Sequence, residues 1–322
     1  MDILNSKVGS IEKDNFKDCQ PRGLSMFNDS YLSTFLEQLD NKGGSLISTG
    51  FEGLDELLGG GLYPGLYAIG AVSSLGKTTF CLQIADQIAS LGNDVIFFSL
   101  EQSKYELTSK SIVRYIHSNS NGGSDLNTMD FLKGSVQSDH SALNEGLEGY
   151  KLAAENIAIR ENEVTINDFL ETITKSVEVR NKKPVIFIDY LQIVSTDKNV
   201  KQHRDGIDYN VGELKRISRK FDIPVVVISS FNRQSYKKSV SFEAFKESGK
   251  IEYSADVVIG LQLAQLREAR LSGKKVSKED INNWKGGDIR EISLVLLKNR
   301  NGKSFGSIKY RFETEKNLFL EY

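Results

Sequence analysis

The sequence is poor in the residues that build metal and disulfide sites. Among its 322 residues there are two cysteines (Cys19 and Cys81), three histidines and four prolines. Two cysteines are too few for a disulfide framework or a structural zinc site, and the histidines lack metal-ligand spacing, so we expect a reducing, cytoplasmic environment. The sequence also lacks an apolar run of about 18 residues and a signal-peptide core, which argues against any membrane association.

A strong overall charge is lacking as well, although one region is basic. The formal net charge of −2 excludes indiscriminate nucleic-acid binding by the whole surface. Residues 195–250 nevertheless carry twelve Lys or Arg against seven Asp or Glu. Within them Arg204, Arg233 and Lys250 are candidate contacts to the phosphates of single-stranded DNA, and the alternative is a solvated basic face.

From about residue 45 onward, short apolar segments alternate with amphipathic ones. Residues 66–70, 94–100, 156–161, 184–189 and 224–230 are apolar on both faces, as parallel strands covered by helices should be. Beyond residue 255 the segments are typical of hairpin strands, with a charged insertion at 266–288 that we expect to form a surface helix and a loop. The pattern predicts an α/β fold in which helices cover a mostly parallel central sheet with an antiparallel C-terminal hairpin extension.

The first 44 residues differ in character from the remainder. Residues 1 to about 25 are polar and aperiodic, and Tyr31, Phe35 and Leu39 share one face of a short candidate helix. An apolar-faced helix outside the main domain must pack on its own body or on a neighbouring subunit. We therefore predict two parts, an N-terminal tail with a linker helix (1–44) and a main domain (45–322).

The stretch "AVSSLGKTTF" (71–80) is close to a phosphate-binding loop. The consensus requires Gly, four free positions and then Gly-Lys-Ser/Thr; Gly76, Lys77 and Thr78 satisfy it, whereas Ala71 stands at the first position. A loop of this kind lies between a buried strand and a helix and binds phosphates through its backbone amides. Its lysine contacts the β- and γ-phosphates, and its hydroxyl ligates Mg²⁺. The alternative is a plain turn with an exposed lysine. The candidate nucleotide-binding residues are Ala71, Ser73, Ser74, Gly76, Lys77, Thr78 and Thr79.

Two carboxylates follow buried strands, where ligands of open α/β sheets bind. Asp189 ends the segment 184–189 and is the candidate, with Thr78, to organise Mg²⁺. Glu101 follows the segment 94–100 and is the candidate to orient or deprotonate the attacking water. For Glu101 the alternative is a helix cap or a surface carboxylate.

Two later strands also end in polar or cationic residues. Ser229, Ser230 and Asn232 are candidates to sense the γ-phosphate, unless they are ordinary loop polarity. Lys298 and Arg300 are two positions apart, and so lie on one face of a predicted strand that runs into an Asn-Gly turn. Two cations on a rigid hairpin suit an arginine finger that acts on a neighbour's nucleotide, and the alternative is a surface hairpin with unrelated charges.

These segments together resemble the C-terminal motor domain of DnaB-type replicative helicases, within the RecA-like P-loop ATPases. The resemblance runs from about Ser48 to Tyr322 and is carried by "AVSSLGKTTF", "FFSLEQ", "IDYLQI", "ESGKIEYSAD" and "KNRNG" in that order. It implies that Lys246, Glu247 and Gly249 lie in a loop that holds the DNA backbone. The catalytic residues that it implies are Lys77, Glu101, Asp189, Lys298 and Arg300.

The resemblance implies an ATP- and Mg²⁺-dependent DNA helicase that translocates 5′ to 3′ on single-stranded DNA during replication. It also implies a homo-oligomer, a hexameric ring, with a helicase loader or a primase as a further partner. Three features depart from the family: Ser230 replaces a glutamine, the 266–288 insertion is long, and we expect no helical N-terminal domain before the linker helix.

Two other functions fit parts of the same pattern. The entry segment "TGFEGLDELLGGGL" also suits a RecA- or KaiC-like ATPase of recombination or regulation. The Ser230 substitution and the short N-terminal part suit an accessory subunit that uses ATP binding as a switch. The "IDYLQ" and "KNRNG" stretches favour the helicase.

Overall fold

The computed structural model describes Leu36 and residues 46–119, 124–196, 203–232, 239–245, 249–303 and 305–322. Several predictions concern residues outside these ranges: the linker helix other than Leu36, and the candidate DNA contacts Arg233, Lys246 and Glu247. The division of the chain near residue 44 stays a prediction.

Nine described strands form a single mixed sheet in the order β3-β2-β4-β5-β1-β6-β7-β8-β9. Their bounds are β1 Gly65–Ala71, β2 Val95–Ser99, β3 Ile157–Arg160, β4 Val185–Asp189, β5 Pro224–Ser230, β6 Val257–Leu263, β7 Ile289–Asn299, β8 Gly306–Glu313 and β9 Leu318–Glu321.

The strands from β3 to β6 in this order are all parallel to their neighbours, and β6 to β9 are antiparallel. All residues of β1, β2 and β4 are buried, as expected for strands covered on both faces. The predicted fold class is confirmed. The prediction that hairpin strands begin at residue 255 is confirmed on one side of β6, which pairs antiparallel with β7, and is wrong on the other side, where β6 pairs in parallel with β1. Its seven residues are all buried, which is the burial pattern of the parallel strands.

Ten α-helices lie within the described residues. They are α1 Glu52–Leu58, α2 Lys77–Ser90, α3 Lys104–Asn119, α4 Thr128–Leu132, α5 Ser141–Asn156, α6 Ile166–Arg180, α7 His203–Phe221, α8 Gly249–Ser254, α9 Ala264–Leu271 and α10 Lys278–Gly286. A capping box closes the N-terminus of α6: the Thr165 hydroxyl accepts from the Asp168 amide at 3.2 Å, and the Asp168 carboxylate accepts from the Thr165 amide at 2.9 Å. In the described part of the chain, every helix is too short or too polar to cross a membrane.

The charged insertion between β6 and β7 is more ordered than predicted. It contains two helices, α9 and α10, in place of one helix and a loop. Leu266, Ala269 and Ile281 are buried, so these helices pack on the domain despite their many charges. Composition alone pointed to a solvated surface because the few anchoring apolar residues are widely spaced.

The antiparallel strands support the helix that follows the phosphate-binding loop. Phe80 on α2 packs edge-on against Tyr310 of β8 and Phe319 of β9, with ring centroids 5.4 and 5.1 Å apart. The Gln83 side chain donates to the Phe319 carbonyl at 2.9 Å and accepts from the Phe319 amide at 2.8 Å. The C-terminal strands therefore fix the position of α2, whose N-terminus faces the candidate site.

Candidate functional site

A cavity of about 370 Å³ lies at the carboxyl ends of the parallel strands. It is bounded by the loop between β1 and α2, by residues that follow β2 and β4, and by the last residue of β5. Its lining residues are Ser73, Ser74, Gly76, Lys77, Thr78, Thr79, Glu101, Gln102, Lys110, Tyr190 and Ser230. Six of the seven residues predicted to bind nucleotide are in this lining, and the seventh, Ala71, is the last residue of β1.

Two positions in and beside the loop require glycine. Gly70 lies within β1, where a Cβ atom would stand 2.3 Å from the ring of Phe231 and 2.6 Å from that of Phe245. Gly70 thus makes room for aromatic packing, and Ala71 is the first position of the loop. Gly76 has a φ of 82°, and its missing Cβ would stand 2.8 Å from the Phe312 ring, so both backbone and space demand glycine there.

Thr78 and Asp189 meet at one side of the cavity. The Thr78 hydroxyl donates to the Asp189 carboxylate at 2.6 Å, although the two residues are 111 positions apart. Burial, followed by the charge of Glu101, raises the pKa of Asp189 from 3.8 to about 6, against the lowering effect of the Thr78 hydrogen bond and of Lys77. A hydroxyl and a carboxylate are oxygen ligands of the kind that Mg²⁺ prefers, so this pair fits the ion.

Lys77 begins α2, and its ammonium group donates to the Val72 carbonyl across the loop at 3.4 Å. Glu101 is exposed at the cavity, two residues beyond the end of β2, and not at the strand terminus as its sequence position suggested. Lys110 of α3 also lines the cavity, where it donates to Gln102 at 2.8 Å and to Glu106 at 3.0 Å. Sequence reasoning missed Lys110, because an i,i+4 pair with Glu106 is typical of any solvated helix face.

The end of β5 is joined to the segment after β4. The Gln192 side chain donates to the Ser229 hydroxyl at 2.8 Å and accepts from the Ser230 amide at 3.3 Å. Ser230 lines the nucleotide cavity, whereas Ser229 is fully buried. Asn232 lies elsewhere: its side chain donates to the Glu243 carbonyl at 2.6 Å, and it borders a second cavity.

The second cavity, of about 340 Å³, brings together described members of the predicted DNA-binding set. Arg204 at the start of α7 and Gly249 at the start of α8 both line it. The guanidinium of Arg204 approaches Gly249 closely, since a Cβ atom there would lie 3.5 Å from it. Lys250 is exposed beside them and packs towards Gly212 of α7.

Lys298 and Arg300 both contact the C-terminal end of α8. The Lys298 ammonium donates to the Glu252 carbonyl at 2.5 Å, and the Arg300 guanidinium donates to the Tyr253 carbonyl at 3.1 Å. Arg300 also pairs with the buried carboxylate of Asp256 at 3.2 Å. Burial, followed by the charge of Arg300, lowers the pKa of Lys298.

Asp256 is the centre of this contact network. Its carboxylate also accepts from the Leu66 amide at 2.8 Å and forms an ion pair with Lys215 of α7. The Asp256 carbonyl accepts from the Arg300 amide at 2.8 Å. One buried residue therefore joins the starts of β1 and β6 to the end of β7 and to α7.

The cation pair and the nucleotide cavity lie at opposite edges of the sheet. Asp256 hydrogen-bonds to Leu66 near the start of β1, and the phosphate-binding loop leaves the other end of the same strand after Ala71. Five residues of extended chain span roughly 16 Å at about 3.3 Å per residue. This exceeds the length of an arginine side chain, so Arg300 does not reach the cavity of its own chain.

The amino-acid sequence matches a protein-family model over residues 46–321, and that family is described as "DnaB-like helicase C terminal domain". The chain is 26% identical to "Replicative DNA helicase DnaC" of Bacillus subtilis (strain 168), over 97% of this chain and 69% of that protein. It is 28% identical to "Probable replicative DNA helicase" of Trieres chinensis, over 86% of this chain and 57% of that protein. For "Replicative DNA helicase DnaB" of Helicobacter pylori (strain J99) the identity is 26%, over 90% of this chain and 63% of that protein. The chain thus spans 57% to 69% of the length of these relatives.

Solved structures share the fold. A solved ATPase domain superposes with a TM-score of 0.72 at 22% identity and covers 91% of this chain and 98% of that one. A second solved structure is titled "The Structure Of A DnaB-Like Replicative Helicase And Its Interactions With Primase". It superposes with a TM-score of 0.70 at 22% identity and covers 91% of this chain and 66% of that one. The KaiC-like protein PH0186 from Pyrococcus horikoshii OT3 gives 0.55 at 18% identity, covering 86% and 99%. These likenesses establish that the chain shares the fold of these proteins.

Proposed function

The chain belongs to the family of DnaB-like helicase C-terminal domains, and on this premise we propose that it is the ATP-hydrolysing motor of a ring-forming DNA helicase in DNA replication. The observation that carries the proposal is the location of the phosphate-binding loop and the Lys298–Arg300 pair at opposite edges of one sheet. Such a chain carries both halves of a hydrolytic centre but needs a second copy to join them. A closed ring of identical subunits gives every member that neighbour.

The cavity after β1 binds ATP. Its loop amides and the Lys77 ammonium bind the phosphates, and Thr78 and Asp189 hold Mg²⁺, which when bound neutralises charge on the β- and γ-phosphates. Glu101 accepts the proton of the attacking water. The water oxygen forms a bond to the γ-phosphorus while the bond to the bridging oxygen breaks, which releases ADP and phosphate.

Lys298 and Arg300 act on the ATP of the adjacent copy. Their positive charges stabilise the charge that develops on the transferred phosphoryl group, which is the role of an arginine finger. To do so, they exchange their contacts with Glu252, Tyr253 and Asp256 for phosphate oxygens of the neighbour. Hydrolysis is then coupled to the packing of one subunit against the next.

Single-stranded DNA binds on the side of the second cavity. Arg204 and Lys250 contact phosphates by charge, and the Gly249 backbone lies close to the DNA. Arg233, Lys246 and Glu247, which fall outside the described residues, complete the proposed set of DNA contacts. The hexameric ring moves 5′ to 3′ along this strand. We extend the proposal to a helicase loader or a primase as a partner and to the cytoplasm as the location.

A forked-duplex assay with ATP, run beside an ATPase assay with and without single-stranded DNA, tests the proposal. We expect unwinding of a fork with a free 5′ tail and DNA-stimulated hydrolysis, and Lys77→Ala should abolish both. Lys275→Ala, which alters an exposed lysine remote from the loop in sequence, serves as the matched control. A fork opened only from a free 3′ tail would contradict the direction.

The assays also separate the alternatives. ATP hydrolysis that ignores single-stranded DNA, together with intact biological function of Lys77→Ala and Glu101→Gln, would favour an ATP-switched accessory subunit. Filament formation with strand exchange and no unwinding would favour a RecA- or KaiC-like ATPase.

A further inference from the structure

Two basic residues from the far end of the chain contact the phosphate-binding loop. Lys285 on α10 donates to the Ser73 carbonyl at 3.2 Å, and Arg290 in β7 donates to the Ser74 carbonyl at 2.5 Å. The contacting residues are 212 and 216 positions apart. Lys285 belongs to the 266–288 insertion, to which the sequence assigned no role.

We propose that Lys285 and Arg290 are positioning residues that orient the amides of the loop towards the nucleotide phosphates. In a trans peptide the carbonyl of one residue and the N–H of the next point in opposite directions. With the Ser73 and Ser74 carbonyls directed at the cations, the N–H groups of Ser74 and Leu75 point to the opposite side of the loop. Ser73 and Ser74 line the nucleotide cavity, whereas Lys285 and Arg290 are not among its lining residues. A phosphate site requires that orientation.

The backbone of Ser74 shows why the loop needs such support. Its φ is 67°, in the left-handed region that residues other than glycine rarely occupy. A residue persists in this conformation when surrounding contacts hold it there. A guanidinium on the Ser74 carbonyl is such a contact, and charged donors form the stronger class of hydrogen bond.

Helix α10 and the start of β7 hold these two donors in place. The Ser277 hydroxyl caps α10 by accepting from the Asp280 amide at 3.0 Å, and the Asp280 carboxylate accepts from the Ser277 amide at 2.9 Å. Ile281 is buried, which anchors the helix to the domain. Arg290 is held in turn by the Gly287 carbonyl at 3.3 Å, and burial lowers its pKa.

Because the proposal rests on the proposed nucleotide site, its test measures ADP and ATP binding by fluorescence titration in parallel with the ATPase rate. Arg290→Gln should lower the affinity for ADP and for ATP about tenfold, as expected for loss of a charge-assisted contact. Arg290→Lys, which keeps a cationic donor, should recover part of that loss. Lys285→Ala should lower both affinities about threefold, and its control, Lys275→Ala, should bind ADP and ATP as the wild type does.

The outcomes distinguish the two proposals. If the wild type does not bind ATP, the nucleotide site itself is wrong. If it binds, but Arg290→Gln and Lys285→Ala both bind ADP and ATP within twofold of it, the positioning role is overturned. Loss of ATP binding with unchanged ADP binding also overturns it, because that result means a direct contact to the γ-phosphate. Should Arg290→Gln fail to fold, Lys285→Ala on the surface of α10 decides the question.

Discussion

The two edges of the sheet differ in whether one chain supplies all the residues of the candidate site. At the carboxyl edge, the loop lysine, the Thr78–Asp189 pair and Glu101 surround one cavity without help from another molecule. At the amino edge, Lys298 and Arg300 are bound to carbonyls of α8 and to Asp256, roughly 16 Å along β1 from the loop. We therefore expect the single chain to bind nucleotide and the assembly to hydrolyse it.

The strongest way to break this comparison is Arg300→Ala. Loss of an arginine finger lowers phosphoryl transfer by about 10³-fold or more, whereas ATP affinity should stay within about twofold because the finger stabilises charge that develops only in the transition state. Titration with labelled ATP and a steady-state ATPase assay measure the two effects. Lys303→Ala, at an exposed lysine of the same turn, should change neither. An equal loss of binding and of rate would place Arg300 in the binding site.

The carboxyl edge can be tested separately through Asp189→Asn. Burial raises the pKa of Asp189 to about 6, so the folded state binds its proton more tightly than the unfolded state does. Below pH 3.8 the side chain is protonated in both states, and its contribution to the free energy of unfolding is fully present. This contribution is lost as the pH rises through about 6, because the folded state then buries a charged carboxylate. Asn avoids that cost, so the ligand-free variant should be about 3 kcal/mol more stable than wild type at about pH 8 and no more stable near pH 3.5.

Urea unfolding at both pH values measures the effect of Asp189→Asn. Glu101→Gln, at an exposed carboxylate of the same cavity, should leave stability nearly unchanged. Both variants should lose hydrolysis. A variant that is destabilised at the higher pH would mean that the Asp189 carboxylate is a net stabilising ion.

A smaller effect is expected at the amino edge from Asp256→Asn. The amide can still accept from the Leu66 amide, but the ion pairs with Lys215 and Arg300 are lost. Since Asp256 is buried and its partners are partly exposed, we expect a loss of about 2 kcal/mol in the free energy of unfolding. ATP affinity should not change, and an altered affinity would show that the two edges are not independent within a chain. Asp222→Asn, at an exposed ion pair with Lys183, is the control.

The smallest expected effect is that of Gln192→Ala. It removes both side-chain hydrogen bonds to the end of β5, of which the one to Ser229 is short and part-buried. We expect a loss of about 1 kcal/mol in the free energy of unfolding, measured by urea titration. Gln192→Glu, which keeps an acceptor for the Ser230 amide but loses the donor to Ser229, separates the two bonds. An unchanged stability in both variants would mean that this junction does not support the carboxyl edge.

The sequence located residues at the end of a buried strand or at the start of an amphipathic helix. Lys77 and Asp189 could be found because each stands next to an apolar segment whose role is readable locally. The contacts of Gln192 with Ser229, and of Arg290 with Ser74, could not be found, since they depend on how distant segments pack. No local pattern distinguishes those side chains from ordinary surface polar residues.

At the amino edge, the sequence identified the two cations but not their contacts. Lys298 and Arg300 were expected on a rigid hairpin, and they do lie at its end. Their contacts with α8 follow from the antiparallel pairing of β7 with β6, which places Lys298 opposite Val258 at the start of β6, shortly after α8 ends. The sequence missed the parallel pairing of β6 with β1, which brings Asp256 next to Leu66. Strand direction is set by pairing, and an apolar run such as β6 fits either direction.

The most direct test of the account is an ATPase assay on mixed rings of Lys77→Ala and Arg300→Ala subunits. The first variant keeps the cation pair but lacks the loop lysine, and the second keeps the cavity but lacks the finger. The two are mixed in equal amounts, with subunit exchange verified by native mass spectrometry. If the cations act on the adjacent copy, the mixture should regain DNA-stimulated hydrolysis that neither variant has alone. A mixture that exchanges subunits and remains inactive would contradict the account.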